Sequence, residues 1–479
     1  MFVVLMFLEY PSPLHTGSHM VVDSDIFTLA GKIWAEGGLP YVNFWDHKGP
    51  LVFWVNMISW KISGSRAGTF WLVVVLVALT MMILWKMVAA FYDSVFPSQF
   101  EKWLVLWIAF LWMGKLLAVA GWNRTETLCL PFLAAALLQA MKNGQAIDVR
   151  RDCSVWRSTA ALLGLAFGVA AMTRLTNAVG ACAVILAFII YLLRERRWKN
   201  IGVCVVYFLL GAGSAILPFS VYFASKHAFS EMIYGTFLYN FTYASDFKSL
   251  LFAADFTTVI SVLVIPAALC AIALARMLYS IKKHGVVATG QGVVDGMLLL
   301  SGILLLVLFS FSLPIKSYSV INVAYIPIIM GIISTQIKRQ WRVTICILLI
   351  VQISLSCVYQ YQSTNGDIEY KYTIIAELNK KSPDSIVLYN VPAIAYLEYN
   401  VKPYYKYAIL QDWQASFSED YKRRMVSTFA NGNVEYIVVA KNIFSKEKLS
   451  IQQILNRNYK LVDVDYSTFL PTLVYKRIR

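Results

Sequence analysis

Residues 158–219 read STAALLGLAFGVAAMTRLTNAVGACAVILAFIIYLLRERRWKNIGVCVVYFLLGAGSAILPF. Three apolar runs, at 158–173, 175–193 and 201–219, approach the length of about 20 residues that carries a helix across a bilayer core. Only Arg174 parts the first two, whereas Arg194, Arg196, Arg197 and Lys199 part the second and third. The same rhythm of apolar run and short charged break recurs at 70–91, 103–120, 126–141, 255–277, 296–313, 320–336 and 343–361. A ten-residue stub, MFVVLMFLEY at 1–10, opens the chain and reads as a shortened first span. A cleaved signal peptide fits it less well, because no basic stretch precedes the apolar run. The expectation is a polytopic α-helical membrane protein of about eleven transmembrane helices.

Composition supports that class. Hydrophobic residues make up 58% of the 479, charged residues only 14%, and mean hydropathy is +0.61; soluble chains carry roughly a quarter charged residues. Net charge is +15, yet no basic run interleaves with aromatics in a nucleic-acid pattern, so nucleic acid is not an expected partner. The basic residues instead mark topology. With a cytoplasmic N-terminus, the inside loops hold Lys142, Arg150, Arg151, Arg157, Arg194, Arg196, Arg197, Lys199, Arg276, Lys282, Lys283, Lys338, Arg339 and Arg342, fourteen in all. The short outside loops hold five: Arg124, Arg174, Lys226, Lys248 and Lys316. That asymmetry is the positive-inside pattern, and eleven spans then place the C-terminus outside.

The seven cysteines, Cys153 among them, lie in or beside spans or in an inside loop, so no disulfide framework is expected. His15 and His19 stand four apart, with no third ligand at matching spacing, and chance placement outweighs a metal pair. From about residue 362 the apolar stretches shorten to strand length, at 385–389, 435–439 and 472–475, and alternate with amphipathic segments at 369–379, 420–430 and 446–456. This reads as a small C-terminal α/β soluble domain over 362–479.

The first outside loop, 11–68, is long enough to suggest function. Asp23-Ser24-Asp25 precedes apolar residues at helical spacing, Ile26, Phe27, Leu29, Ala30, Ile33 and Trp34, and Gly37-Gly38 ends them. Such a helix is too polar to span and suits the membrane interface. After Pro40-Tyr41 come Phe44-Trp45-Asp46-His47-Lys48-Gly49-Pro50 and an apolar run at 51–60, a second short helix with Pro50 in its first turn.

These residues carry a resemblance. The acidic pair, Gly38-x-Pro40-Tyr41 and Asp46-His47-Lys48-Gly49-Pro50-Leu51 resemble the first outer loop of the GT-C superfamily of glycosyltransferases, specifically family 39 and its aminoarabinose-transferase relatives. Gly121-x-Asn123-x-Thr125-Glu126, followed by Leu130-Pro131-Phe132, looks like that family's second outer loop, and Arg174 stands where relatives keep a basic residue facing lipid phosphate. The resemblance implies a GT-C-like catalytic membrane domain over 1–361 and an extracytoplasmic domain over 362–479 in the cell (plasma or inner) membrane. It also implies transfer of a sugar from a polyprenyl-phosphate donor to a glycan, lipid or protein acceptor.

That chemistry needs a carboxylate to take the acceptor proton and cations to meet the leaving phosphate. By the resemblance, Asp23 is the base candidate, Asp25 second, and Glu126 a base or acceptor-positioning group. Lys48, Arg174 and Lys316 are the phosphate candidates; Asp46, His47, Asn123, Arg124, Tyr239, Asn240 and Tyr318 are candidates for the substrate cavity. No cofactor is called for, though a divalent cation is compatible with the carboxylates. Plainer roles exist for each. Asp23 can cap the helix it precedes, Asp25 can favour its dipole, Lys48 can snorkel, and Glu126 can pair with Arg124. The functional alternative is a transporter or flippase of lipid-linked sugars, expected to carry charges at mid-membrane; a non-catalytic scaffold leaves the first loop unexplained.

Overall fold

The computed structural model describes residues 1–8, 22–117, 120–145, 154–245, 255–285, 289–311, 315–364, 372–383, 385–432, 434–440, 449–466 and 471–478. His15, His19, Arg150, Arg151, Cys153 and Lys248 lie outside these. The chain forms two compact units, each drawn from separate stretches: residues 1–8, 73–222 and 247–364 in one, and 9–72, 223–246 and 365–479 in the other.

The described residues of the first unit are helical apart from short connections. Helix α1 is Phe2–Leu8; α2, Val22–Ala35, and α3, Pro50–Ser63, both of the second unit, come next in the chain, before α4, Gly68–Phe91. Then follow α5, Gln99–Leu117, α6, Thr125–Gln145, and α7, Ser154–Ala171. A 3-10 turn, Leu175–Ala178, leads into α8, Val179–Arg194, and α9 is Trp198–Ser225. Each of the ten long apolar runs of the sequence falls on a helix, the last four being α12, Phe256–His284, α13, Thr289–Ser310, the 3-10 segment Lys316–Tyr325 running into α14, Ile326–Ser334, and α15, Arg339–Thr364. Among the described residues, seven of these are long and apolar enough to cross a membrane. Helix α5 is continuous, but Glu101 and Lys102 at its start and Lys115 in its last turn lower its apolar character. Leu209, Leu210 and Val221 on α9 and Leu348 and Leu355 on α15 are over 60% exposed, the outward apolar surface expected of helices solvated by lipid. This is a polytopic membrane protein.

Without a hydrophobic drive between helices in lipid, close packing relies on small residues. A Cβ on Gly164 of α7 would lie 2.1 Å from the Phe208 carbonyl oxygen of α9, and one on Gly211 of α9 would lie 2.1 Å from the Ala161 oxygen. The two helices therefore cross in backbone contact. An ion pair, Arg276 Nε to Asp295 Oδ1 at 2.7 Å, ties α12 to α13.

The second unit gathers α2 and α3, the segment 223–246 and the C-terminal residues. The latter contain α16, Thr373–Lys381, β1, Ile386–Tyr389, α17, Ala393–Glu398, α18, Gln411–Phe417, α19, Glu419–Asn431, β2, Tyr436–Ala440, α20, Gln452–Asn458, β3, Tyr459–Asp465, and β4, Thr472–Arg477. The sheet order is β1-β2-β4-β3. Parallel pairing of β1 with β2 requires the helical crossover between them, while β4 pairs antiparallel with both β2 and β3. Three strands match the apolar stretches of the sequence. The fourth, β3 (YKLVDVD), has no such stretch to announce it, because it is an edge strand with six of its seven residues exposed or half-buried.

Helix α2 starts at Val22, so Asp23 and Asp25 sit inside its first turn rather than ahead of it. Both of its faces are enclosed: Ser24, Asp25 and Lys32 are buried along with Ile26, Phe27 and Leu29. Gly31 makes this enclosure feasible, since a Cβ there would lie 2.5 Å from the Asn56 carbonyl carbon of α3. Helix α3 opens on Pro50 as expected and closes on Gly64, whose φ of 64° lets its N–H reach the Trp60 carbonyl at 2.8 Å.

Candidate functional site

In the second unit the stretch from Tyr41 to Lys48 is held as one piece. Tyr41 takes the left-handed conformation, φ 68°, which a bulky residue adopts only when its surroundings compel it. Its ring is fully buried against Phe53 and Phe223, and its hydroxyl donates to the Lys48 carbonyl at 2.7 Å while meeting Thr236 Oγ1 at 3.1 Å. Thr236 belongs to a π-helical turn, Tyr234–Leu238, between the short α10, Phe229–Ile233, and α11, Tyr239–Ser245. A Cβ on Gly235 of that turn would lie 2.6 Å from the Tyr41 ring. Gly235→Ala is therefore expected to displace Tyr41 and lower stability by about 1–3 kcal/mol, the usual range for overpacking; an unchanged unfolding midpoint would contradict this packing.

Asp46, His47 and Lys48 form a chain of contacts. His47 Nδ1 lies 3.1 Å from Asp46 Oδ1, and its Nε2 lies 2.5 Å from Lys48 Nζ. An ammonium can only donate, so Nε2 accepts from Lys48, while Nδ1 faces the Asp46 carboxylate. Burial pushes the Asp46 carboxyl up, but the charge and hydrogen bonds of His47, with Lys48 nearby, outweigh it and hold the group below the usual carboxylate range. The Asn240 amide donates to the His47 carbonyl at 2.9 Å. The Gln414 amide lies 3.3 Å from Nδ1, and Tyr239 donates to Gln414 Oε1 at 2.7 Å. Trp45, wedged against Tyr239 and Tyr421 with centroids 4.8 and 4.6 Å away, completes the setting. Lys48 is half-buried beside this rigid frame, a cation held in place rather than trailing in solvent.

The two carboxylates of α2 part company. Asp25 is 1% exposed and accepts from Arg66 Nη2 at 2.6 Å; Arg66 Nη1 reaches Glu398 Oε1 at 2.6 Å. Asp23 is half-buried, one residue into the helix. Lys32, at the other end of α2, donates to Asn400 Oδ1 at 2.5 Å, and burial lowers its affinity for its proton despite nearby Glu36.

In the first unit a second constellation forms. Glu126, in the first turn of α6, is 1% exposed; Oε1 accepts from Arg174 Nη1 at 3.0 Å and Oε2 from Thr125 Oγ1 at 3.0 Å. Arg124 Nε stands 4.0 Å from the same carboxylate, and its Nη2 donates to Ser317 Oγ at 2.7 Å. The Arg174 guanidinium lies over the Tyr318 ring, 3.4 Å from its centroid, a stacking available to a planar cation. Asn123 is buried just before Arg124, and Lys316, half-buried, begins the 3-10 segment that carries Ser317 and Tyr318. Two guanidinium groups against one carboxylate leave excess positive charge, an arrangement suited to an anion. The Glu126 oxygens are already occupied as acceptors, which suits positioning better than proton transfer.

The structure thus brings Asp46, His47, Lys48, Tyr239 and Asn240 together within one unit, and Glu126, Arg124, Arg174 and Tyr318 within the other. Sequence reasoning missed Arg66, Glu398, Gln414 and Ser317. Each is a lone polar residue in an unremarkable stretch, and only its distant partner gives it a role.

The architecture, a bundle of many apolar helices with a C-terminal α/β part, is found in other membrane proteins of known structure. No protein-family model and no curated protein sequence matches the chain. Among solved structures, ArnT from Cupriavidus metallidurans bound to undecaprenyl phosphate superposes with a TM-score of 0.57 at 12% identity, covering 100% of this chain and 96% of that one. The same protein in the apo state gives 0.56 at 13% identity over 99% and 96%. The apo oligosaccharyltransferase of Archaeoglobus fulgidus gives 0.50 at 11% identity over 92% of this chain and 68% of that one. The likeness is one of fold, and it extends over the whole chain, C-terminal α/β part included.

Proposed function

We propose that the protein is a membrane glycosyltransferase that moves a sugar from a polyprenyl-phosphate carrier to an acceptor hydroxyl at the outer surface of the membrane. The observation that carries this reading is the end-to-end likeness to ArnT, whose crystal holds undecaprenyl phosphate, joined to the ordered Asp46-His47-Lys48 frame in the same unit as Asp23. In the proposed reaction the acceptor oxygen attacks the anomeric carbon and inverts it. Its proton passes to Asp23, and the bond to the phosphate oxygen breaks as the carrier leaves. Lys48 is the proposed phosphate ligand of the second unit; Arg174, Arg124 and Lys316 are the cationic groups of the first. As the sugar–oxygen bond breaks, negative charge grows on the departing polyprenyl phosphate, and such cations stabilise it.

The reading is tested by mass spectrometry of surface glycans from cells with and without the protein. A sugar substituent should vanish without it and return with the intact gene; identical glycans would remove the basis for the proposal. Proteoliposomes separate the flippase alternative, since an enzyme consumes donor supplied at the outer leaflet, with acceptor present, and a flippase does not. Lys48→Gln should raise KM for donor by about tenfold, the loss of one charge-assisted contact, with little change in folding. Arg174 is a poorer probe, because its removal strands Glu126.

Topology gives an independent check. Reporters fused after residues 151, 198, 283 and 340 should score cytoplasmic and one after 479 external, by the fourteen-to-five count of loop charges. A cytoplasmic C-terminus would put the proposed site on the wrong face.

A further inference from the structure

The first unit holds a cavity of about 350 Å³ among α7, α8 and α9, with no polar surface. Trp156, Leu163, Phe188, Leu192, Trp198 and Cys204 line it. It opens beside the exposed apolar flank of α9, where Val205 and Leu209 are 50% and 61% exposed, so an occupant arrives from the hydrocarbon and not from water. One end is marked by charge. Arg157 directly follows Trp156; Arg194 directly follows the lining residue Leu193; Arg197 and Lys199 flank Trp198. Arg157 and Arg197 lie over the rings of Tyr207 and Tyr191 at 5.7 and 5.8 Å. Trp198 is 64% exposed, as a tryptophan at headgroup depth would be. Glu195 is the sole acidic residue in the 194–199 stretch, so its balance is strongly positive.

We infer that this groove is a binding site for an anionic phospholipid, one acyl chain filling the cavity and the headgroup phosphate meeting Arg157, Arg194 and Arg197. Apolar walls select a chain, and the basic rim selects the charge of the headgroup; basic sites between transmembrane helices recognise lipids by this combination. The inference stands apart from the proposed reaction and shares no residue with it.

Native mass spectrometry of the full-length protein, released from detergent with equal amounts of dioleoyl-phosphatidylglycerol and dioleoyl-phosphatidylcholine, tests it. One phosphatidylglycerol should be retained, with a preference of about a hundredfold. Arg157→Gln/Arg194→Gln/Arg197→Gln should bring the two lipids to near parity, at about fivefold per arginine. Cys204→Phe, which fills the groove, should lose both lipids, and the milder Cys204→Leu should weaken both. Equal retention of the two lipids by the unmodified protein overturns the inference without any variant having to fold. So does undiminished phosphatidylglycerol binding by a folded Cys204→Phe protein.

Discussion

Asp23→Asn is expected to fold and insert normally and to transfer almost no sugar. The variant keeps the shape of the side chain and removes only its charge and its capacity to take a proton. Loss of a general base costs roughly 10²–10⁴ in rate. Loss of a negative charge from the first turn of α2 costs about 0.3–1 kcal/mol of stability through the helix dipole. Transfer from a polyprenyl-phosphate donor and the thermal unfolding midpoint, measured on the same preparation, therefore separate the two roles. Near-normal transfer would dismiss Asp23 and leave Asp25 and Glu126. In the fold, Asp25 accepts from Arg66 and Glu126 from Arg174. If single Asn or Gln variants at all three positions kept their activity, the enzyme reading itself would fail.

The second large effect is on stability. Arg66→Met should destabilise the second unit by about 3–5 kcal/mol, because it leaves the Asp25 carboxylate buried without its counter-charge. Glu398 suffers less, being a third exposed and open to water. The double variant Asp25→Asn/Arg66→Met should recover much of the loss, since no charge then remains buried. Unfolding followed by limited proteolysis reads this directly. A single variant as resistant as the parent would mean that the Asp25–Arg66 pair contributes nothing, and a double variant no better than the single would mean that packing of the arginine stem, not charge, is what matters.

The membrane class and the positions of the long helices were legible in the sequence because both rest on local periodicity, while the short α10, α11, α17 and α18 were not. An apolar run near bilayer length has few alternatives to a helix, and Gly37 and Pro50 mark the end of α2 and the start of α3 by backbone chemistry that needs no tertiary partner. The loop motif also carried over: Asp46, His47 and Lys48, adjacent in sequence, touch one another in the fold. Strand β3 escaped because an exposed edge strand has no one-sided apolar pattern to read.

What the sequence by itself determined was therefore a many-helix membrane chain with an α/β end and a loop that ought to carry chemistry. Tertiary structure alone decided the long-range partners of the candidate side chains. Asp25 meets Arg66 41 residues away, Glu126 meets Arg174 48 away, and His47 meets Gln414 367 away. Side-chain pairs at such separations leave no trace in local composition or period, since the energy that selects them comes from shared burial that exists only once the chain has folded.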